Sequence, residues 1–334
     1  MRVGIIGCGL IGTRRAQTAL ASGDELLYVV DVTKERADEL ARKVGAVRAE
    51  WSDVIKSDVD VVVVATPNKF LQPTVVEALQ AGKHVLCEKP LGRNAAEAET
   101  MVEAAKTAGR TLKTGLNHRH KQAISAAYGL LEKGAIGRPF AIRAAYGHGG
   151  RAGYNKEWRG DPELAGGGEL LDQGVHVVDL CRWFLGEFVE ATGVLGTWFW
   201  DVEPLEDNAF VLLRTEDGRV ASFHTSWTQW RNLFRFEVLG TDGYLVVDGL
   251  GGSYGAERLT RGRRRNKGGV PEEETVSFPG EDLSWANEWR EFKNAVEFGR
   301  QPLGSGEDGL AAARILDAVY AAASTGRVTR VGLA

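Results

Sequence analysis

A short β-branched run at residues 3–6 opens directly into Gly7-Cys8-Gly9-Leu10-Ile11-Gly12, and a helix-like stretch follows over 10–21. This spacing constrains the fold more than any other feature of the chain. A first glycine suits a tight strand-to-helix turn. A second lets backbone approach an anion, and a third lets helix and strand pack closely. The N–H groups that start the helix are unpaired and carry partial positive charge, so they favour a phosphate. The next strand-like run closes on Asp31. A carboxylate there can accept from both ribose hydroxyls and repels a 2′-phosphate. The pattern predicts a dinucleotide site in which Gly7, Gly9, Leu10, Ile11, Gly12 and Asp31 hold NAD in preference to NADP. Lys34 and Arg36, just beyond Asp31, keep an NADP alternative open.

The first third of the chain alternates strand-like runs (3–6, 26–31, 59–65, 84–87, 111–114) with helix-like stretches (10–21, 34–43, 70–81, 95–108). Continuous apolar strands between amphipathic helices predict a parallel sheet covered on both faces. Gly82 and Gly109 fall where left-handed helix caps belong. The pattern changes near residue 117. A helix (122–133) and a strand (140–146) lead into a Gly-rich loop (147–168) and a helix (170–185). Strands at 189–200, 208–215, 219–227, 234–240 and 244–248 follow, then helices at 283–298 and 306–323. The expected fold is α/β. An N-terminal Rossmann domain spans 1–118. A C-terminal α+β domain with a large, mostly antiparallel sheet spans 119–334. The basic run 258–267 and the acidic run 272–274 read as one solvated hairpin.

Composition excludes other classes. A net charge of -4 gives no positive field for nucleic acid or membrane. The apolar runs are too short to span a bilayer. Cys8, Cys87 and Cys181 each sit in apolar runs and read as reduced thiols, and Met1-Arg2 leads into a strand without a leader, so a cytoplasmic protein is expected. No metal is expected.

Three segments carry candidate chemistry. Ala65-Thr66-Pro67-Asn68 and Glu88-Lys89-Pro90 end strands on the edge where open α/β sheets bind ligands. The Lys89 ammonium could stabilise an alkoxide or polarise a carbonyl there. Gly166-Gly167-Gly168 precedes a helix with Asp172 and His176 four residues apart, which places a carboxylate and an imidazole on one face. Asp179 extends that stripe, and the nearby helix start disfavours an imidazolium at His176. The loop before this helix offers Tyr146, His148, Arg151, Tyr154 and Asn155. These donors and aromatics suit a sugar face, and the cations admit a sugar acid or nucleotide sugar.

Together these segments resemble the Gfo/Idh/MocA family (glucose-fructose oxidoreductase, inositol dehydrogenase). The resemblance rests on GCGLIG (7–12), ATPN (65–68), EKP (88–90), NHR (117–119) and GGGELLDQGVH (166–176). It implies NAD-dependent redox of sugars, cyclitols or their derivatives, with Lys89, Asp172 and His176 as catalytic lysine, aspartate and histidine. It further implies that Ala65, Thr66, Pro67, Asn68, Glu88, Lys89, Asn117, Arg119, Trp158 and Arg159 border the cofactor. His120 and Gln72 depart from the common pattern at positions that border the substrate. Two alternatives stay open: an NAD-dependent glycoside-cleaving enzyme that oxidises transiently, and a non-catalytic dinucleotide sensor. Finally, Trp198, Phe199, Trp200, Trp227, Trp230, Phe234 and Phe236 fall on or beside predicted strands, with Trp198 and Trp200 on one face. The resemblance implies a homodimer or homotetramer through such a face.

Overall fold

The computed structural model describes residues 1–332. The chain runs β1 (Arg2–Ile6), α1 (Leu10–Ala21), β2 (Glu25–Val30), α2 (Lys34–Val44), β3 (Val47–Arg48), α3 (Trp51–Lys56), β4 (Val61–Val64), α4 (Leu71–Gln80), β5 (His84–Cys87), α5 (Ala95–Ala108) and β6 (Leu112–Thr114). It continues through α6 (Gln122–Glu132), β7 (Pro139–Gly147), α7 (Pro162–Ala165), α8 (Val175–Leu185), β8 (Phe188–Gly196), β9 (Asn208–Thr215), β10 (Val220–Ser226), β11 (Leu233–Gly240) and β12 (Gly243–Asp248). It closes with β13 (Glu257–Arg263), β14 (Glu272–Phe278), α9 (Ser284–Glu297), α10 (Gly306–Thr325) and β15 (Thr329–Arg330).

One compact unit gathers Met1–Asn117, Glu163–Gly166 and Trp285–Ala313. Its six strands are parallel in the order β3-β2-β1-β4-β5-β6. All four valines of β4 are fully buried, as a strand covered on both faces requires. Leu71, Val75 and Leu79 of α4 and Met101 and Val102 of α5 cover one face, joined by Leu310 and Ala313 of α10. Ala16 and Ala19 of α1 and Leu40 of α2 cover the other, joined by Trp289 and Phe292 of α9. The single cut expected at 118/119 does not register these returns of the chain, because the aromatic face of α9 finds its apolar partners beside α1. Gly109 caps α5 in the left-handed region at φ 59°.

The second unit comprises His118–Pro162, Gly167–Ser284 and the chain from Arg314 onward. Its nine-stranded sheet has the order β14-β13-β12-β11-β7-β10-β9-β8-β15, antiparallel at every step except β7 with β10. Strict alternation along β9 buries Ala209, Val211 and Leu213 and leaves Phe210, Leu212 and Arg214 facing out. The basic and acidic runs pair as the β13–β14 hairpin, with Arg263 opposite Glu272 and Arg261 opposite Glu274.

The aromatic residues depart from expectation. The strand predicted to reach Trp200 stops at Gly196. Beyond it, the N–H groups of Trp198, Phe199 and Trp200 all turn onto the buried Asp207 carboxylate, at 2.9, 2.8 and 2.9 Å. Three consecutive donors on one anion form a nest, which a pleated strand cannot offer. The residues predicted to alternate therefore sit in a loop. Trp227, Phe234 and Phe236 are core residues, whereas Trp198, Phe199 and Trp230 are exposed.

Candidate active site

The glycine turn after β1 is shaped as the dinucleotide reading requires. Gly7 has φ +92°, and a Cβ there would stand 2.5 Å from the Ala65 carbonyl oxygen. A Cβ on Gly12 would stand 1.7 Å from the Gly7 carbonyl oxygen. Gly9 differs: nothing lies within 4 Å of its missing Cβ. Its smallness serves no internal contact and leaves the approach to the α1 N-terminus open. No side chain caps that helix, and no acidic residue occupies its first turn. The Asp31 carboxylate is fixed beside this turn, accepting from the Cys8 N–H at 2.7 Å and the Thr33 N–H at 2.8 Å. Leu10 and Ile11 form the first turn of α1, with Leu10 exposed, and Arg36 is exposed near the start of α2. The buried Thr66 hydroxyl, at the end of β4, has no hydrogen-bond partner within the protein. An open glycine, a bare helix start, an oriented carboxylate and an orphaned hydroxyl all fit NAD. Burial pushes the neighbouring Cys8 thiol up to about 12, which makes it an inert thiol.

Other residues expected near the cofactor have roles within the first unit. Ala65 and Pro67 are half-buried beyond β4. Asn68 is buried and donates its amide to the Ala165 carbonyl at 2.8 Å. With the Lys69–Glu163 pair and an Arg93 bond to the Glu163 carbonyl, it ties down the segment Glu163–Gly166. Glu88 meets the fully buried Arg15 at 2.6 Å, and Arg15 in turn meets Glu288 at 2.5 Å. Burial raises the Glu88 carboxyl above its ordinary range, with Arg15 opposing. Lys89 follows, half-buried beyond β5. Asn117 is buried at the end of this unit.

In the second unit the Asp172–His176 segment is not one regular helix. Leu170–Gly174 winds as a π turn, and α8 continues from Val175. Such turns recur at functional sites. His176 therefore lies well past the first turn, beyond the reach of the terminal partial charge, and the helix-start argument for a neutral imidazole does not hold. An aromatic neighbour stands beside it. His176 is buried, and the His118 ring lies edge-on to it with centroids 3.8 Å apart. His118 also contacts Tyr146 at 5.3 Å, and Tyr146 contacts Tyr254 at 5.6 Å. The Tyr254 hydroxyl is hydrogen-bonded to Tyr146 and Gln173, and burial pushes it up to about 12. Asp172 is paired with Arg159 at 3.1 Å, and the Arg159 guanidinium stacks on Trp158 at 4.5 Å.

Asp179 does not extend the polar stripe. It is buried against Arg119, which donates to both its oxygens at 2.9 and 2.6 Å and lies over the Trp183 ring. That enclosed bidentate pair accounts for Arg119 without a ligand. Tyr154 is buried, packing on Trp227 at 5.1 Å and beside His148 at 5.7 Å. Arg151 is exposed and paired with Glu157, Asn155 is half-buried, and His120 is buried. Most glycines of this loop meet protein rather than open space: a Cβ on Gly147 would stand 2.4 Å from the Ser226 carbonyl oxygen, and Gly153, with φ +81°, is the exception with nothing within 4 Å. Sequence reasoning missed His118, Gln173 and Tyr254. His118 and Gln173 lay inside quoted motifs, whereas nothing local marked Tyr254. Among the described residues no group of three or more His, Cys, Asp and Glu is placed to hold a metal.

Comparison with known proteins is consistent across the chain. Residues 1–116 match an oxidoreductase family with an NAD-binding Rossmann fold, and residues 124–246 match the GFO/IDH/MocA C-terminal domain. The 1,5-anhydro-D-fructose reductase of Ensifer adhaerens is 31% identical over 99% of this chain and 98% of its own length. The myo-inositol 2-dehydrogenase of Thermotoga maritima is 30% identical over 92% of each. A solved levoglucosan dehydrogenase in complex with NADH and levoglucosan superposes with a TM-score of 0.91 at 26% identity, covering 100% of both chains.

Proposed function

Because this chain belongs to the GFO/IDH/MocA oxidoreductase family and carries its NAD-binding Rossmann domain, we propose that it moves a hydride between NAD and a carbinol carbon of a sugar or cyclitol. The observation that carries this reading is the buried His176, packed on His118 and following an Asp172 that Arg159 holds. An imidazole so placed is the proton acceptor for a substrate hydroxyl. Lys89 stabilises the oxygen as its proton leaves, and in the reverse direction polarises the carbonyl oxygen that takes up the proton. Asp172, fixed by Arg159, orients the hydroxyl toward His176. Tyr146, His148, Arg151, Tyr154, Asn155 and His120 belong to the substrate side in this reading.

Bound NAD supplies the hydride acceptor. Gly7, Gly9, Leu10, Ile11 and Gly12 would receive its pyrophosphate at the bare start of α1, and Asp31 its ribose hydroxyls. Thr66, with Ala65, Pro67 and Asn68, lines the same edge, where Glu88 and Asn117 support the backbone. The family resemblance carries Trp158 and Arg159 over as cofactor residues too.

Two further assignments accompany this one. The self-association expected of the chain would use the outward face of the nine-stranded sheet, a reading supported by Val194, Phe210 and Leu212, exposed on neighbouring strands. A cytoplasmic location agrees with three buried free cysteines. Among the described residues no helix is long and apolar enough to cross a membrane.

The test is a screen of polyols, aldoses, anhydrosugars, sugar acids and nucleotide sugars with NAD and NADP, following nicotinamide absorbance. Net accumulation of NADH is expected. Cofactor recycling with release of an aglycone would favour glycoside cleavage instead. Lys89→Ala and His176→Ala should each lower kcat by about 10²–10⁴-fold while NADH still binds. Wild-type turnover in either variant would overturn the assignment of roles.

A further inference from the structure

The π turn that carries Asp172 starts where a buried Glu206 and a half-buried Tyr320 reach it, and neither is a residue the motifs single out. Glu206, in the loop between β8 and β9, is 6% exposed. Its Oε1 accepts from the Leu170 N–H at 2.9 Å and from the Tyr320 hydroxyl at 2.8 Å. Its Oε2 accepts from the Gly168 N–H at 3.2 Å, and its backbone carbonyl accepts from the Glu169 N–H at 2.9 Å. One residue thus engages the N–H groups of Gly168, Glu169 and Leu170, three of the donors that a helix start leaves without intrahelical partners. An anion at that position is also favoured by the helix dipole.

The glycine run is cut to fit this arrangement. A Cβ on Gly168 would stand 2.0 Å from the Glu206 carbonyl oxygen. A Cβ on Gly167 would stand 2.5 Å from the Tyr320 hydroxyl oxygen. Gly167 and Gly168 are therefore explained by the approach of Glu206 and Tyr320. A π turn is rare because its hydrogen-bond ring is wider than the α ring, and it persists where its surroundings hold it. Here the surroundings are a carboxylate bonded at both oxygens and braced from α10 by Tyr320.

We propose that Glu206, braced by Tyr320, is a positioning residue that holds the π turn and thereby aims Asp172 and His176. It acts through the backbone of Gly168 and Leu170. The proposal rests on the catalytic assignment of Asp172 and His176 made above.

Glu206→Gln tests it, because the amide keeps the shape but must turn its NH2 toward one of the donors. Amide hydrogen exchange at Gly168 and Leu170 should quicken about tenfold or more, the usual consequence of losing a charge-assisted hydrogen bond. With the substrate that responds in the screen, kcat should fall by about tenfold, while KM and the NADH Kd stay within about twofold, as expected for an interaction felt in the transition state. Tyr320→Phe removes a single hydroxyl, keeps the fold, and should shift exchange and kcat in the same direction by less. Wild-type exchange rates at Gly168 and Leu170 in both variants would overturn the proposal, as would faster exchange with unchanged kcat. His176→Ala, measured alongside, separates the two ideas. If it retains wild-type turnover, the catalytic reading fails, while the exchange data still decide whether Glu206 holds the turn.

Discussion

Arg15→Met removes the centre of a buried charge cluster that includes Glu88, the residue before Lys89. Arg15 is fully buried and lies between Glu88, at 2.6 Å, and Glu288, at 2.5 Å. Lys113, also fully buried, reaches Glu288 at 3.6 Å. Methionine would fill much of the aliphatic volume but leave two carboxylates buried, with the Lys113 ammonium beside one of them, Glu288. Breaking a buried pair by removing one partner costs about 3–5 kcal/mol, chiefly because the remaining charge stays out of water. Lys113 stays beside Glu288, so the charge that loses its ion-pair partner is that of Glu88. The expected loss is therefore about 3–5 kcal/mol in urea-induced unfolding at neutral pH.

The same variant carries a pH signature. Burial already raises the Glu88 carboxyl, and Arg15 opposes that rise. Without Arg15 its folded pKa climbs further above the unfolded value. The native state then binds more protons than the unfolded state between those two values, so stability increases as pH falls through that window. The deficit of Arg15→Met relative to wild type should be largest above the folded pKa of Glu88 and should shrink on acidification toward the ordinary carboxylate range. A loss below about 1 kcal/mol, the range of an exposed pair, would refute the reasoning, and so would a deficit that does not change with pH.

Asp31→Ser should raise the ratio of NADP to NAD kcat/KM by about tenfold or more, since a like charge facing a phosphate costs several kcal/mol. An unchanged ratio would remove Asp31 from cofactor choice. Phe210→Glu with Leu212→Glu should lower the sedimentation coefficient by breaking self-association. A wild-type protein that sediments as a monomer at micromolar concentration would refute the assembly assignment.

What was legible in the sequence was local. The turn from β1 into α1 and the Asp31 carboxylate lie within one strand–helix–strand unit, so spacing alone could place them. The all-valine β4 announced a strand buried on both faces. What was not legible came from partners distant in the chain. Arg15 finds Glu288 across 273 positions, and no periodicity in α1 marks it as the centre of a charge cluster. Trp198-Phe199-Trp200 reads as a strand because alternation is a property of side chains. The deciding event is the backbone turning onto Asp207 several residues later. The π turn was equally hidden, since the residue types at Leu170–Gly174 suit an α-helix and the winding is set from Glu206.

Glycine shows the limit most clearly. Gly9 and Gly168 both stand before a helix in a motif that suggests backbone approaching a ligand. Around Gly9 there is open space, so the approaching group comes from outside the protein. At Gly168 the space is filled by the Glu206 backbone, so the approaching group is the protein itself. The two glycines therefore predict opposite responses to alanine. Gly9→Ala should weaken NADH binding with little effect on folding. Gly168→Ala should destabilise the second unit and slow turnover while the first unit still binds NADH.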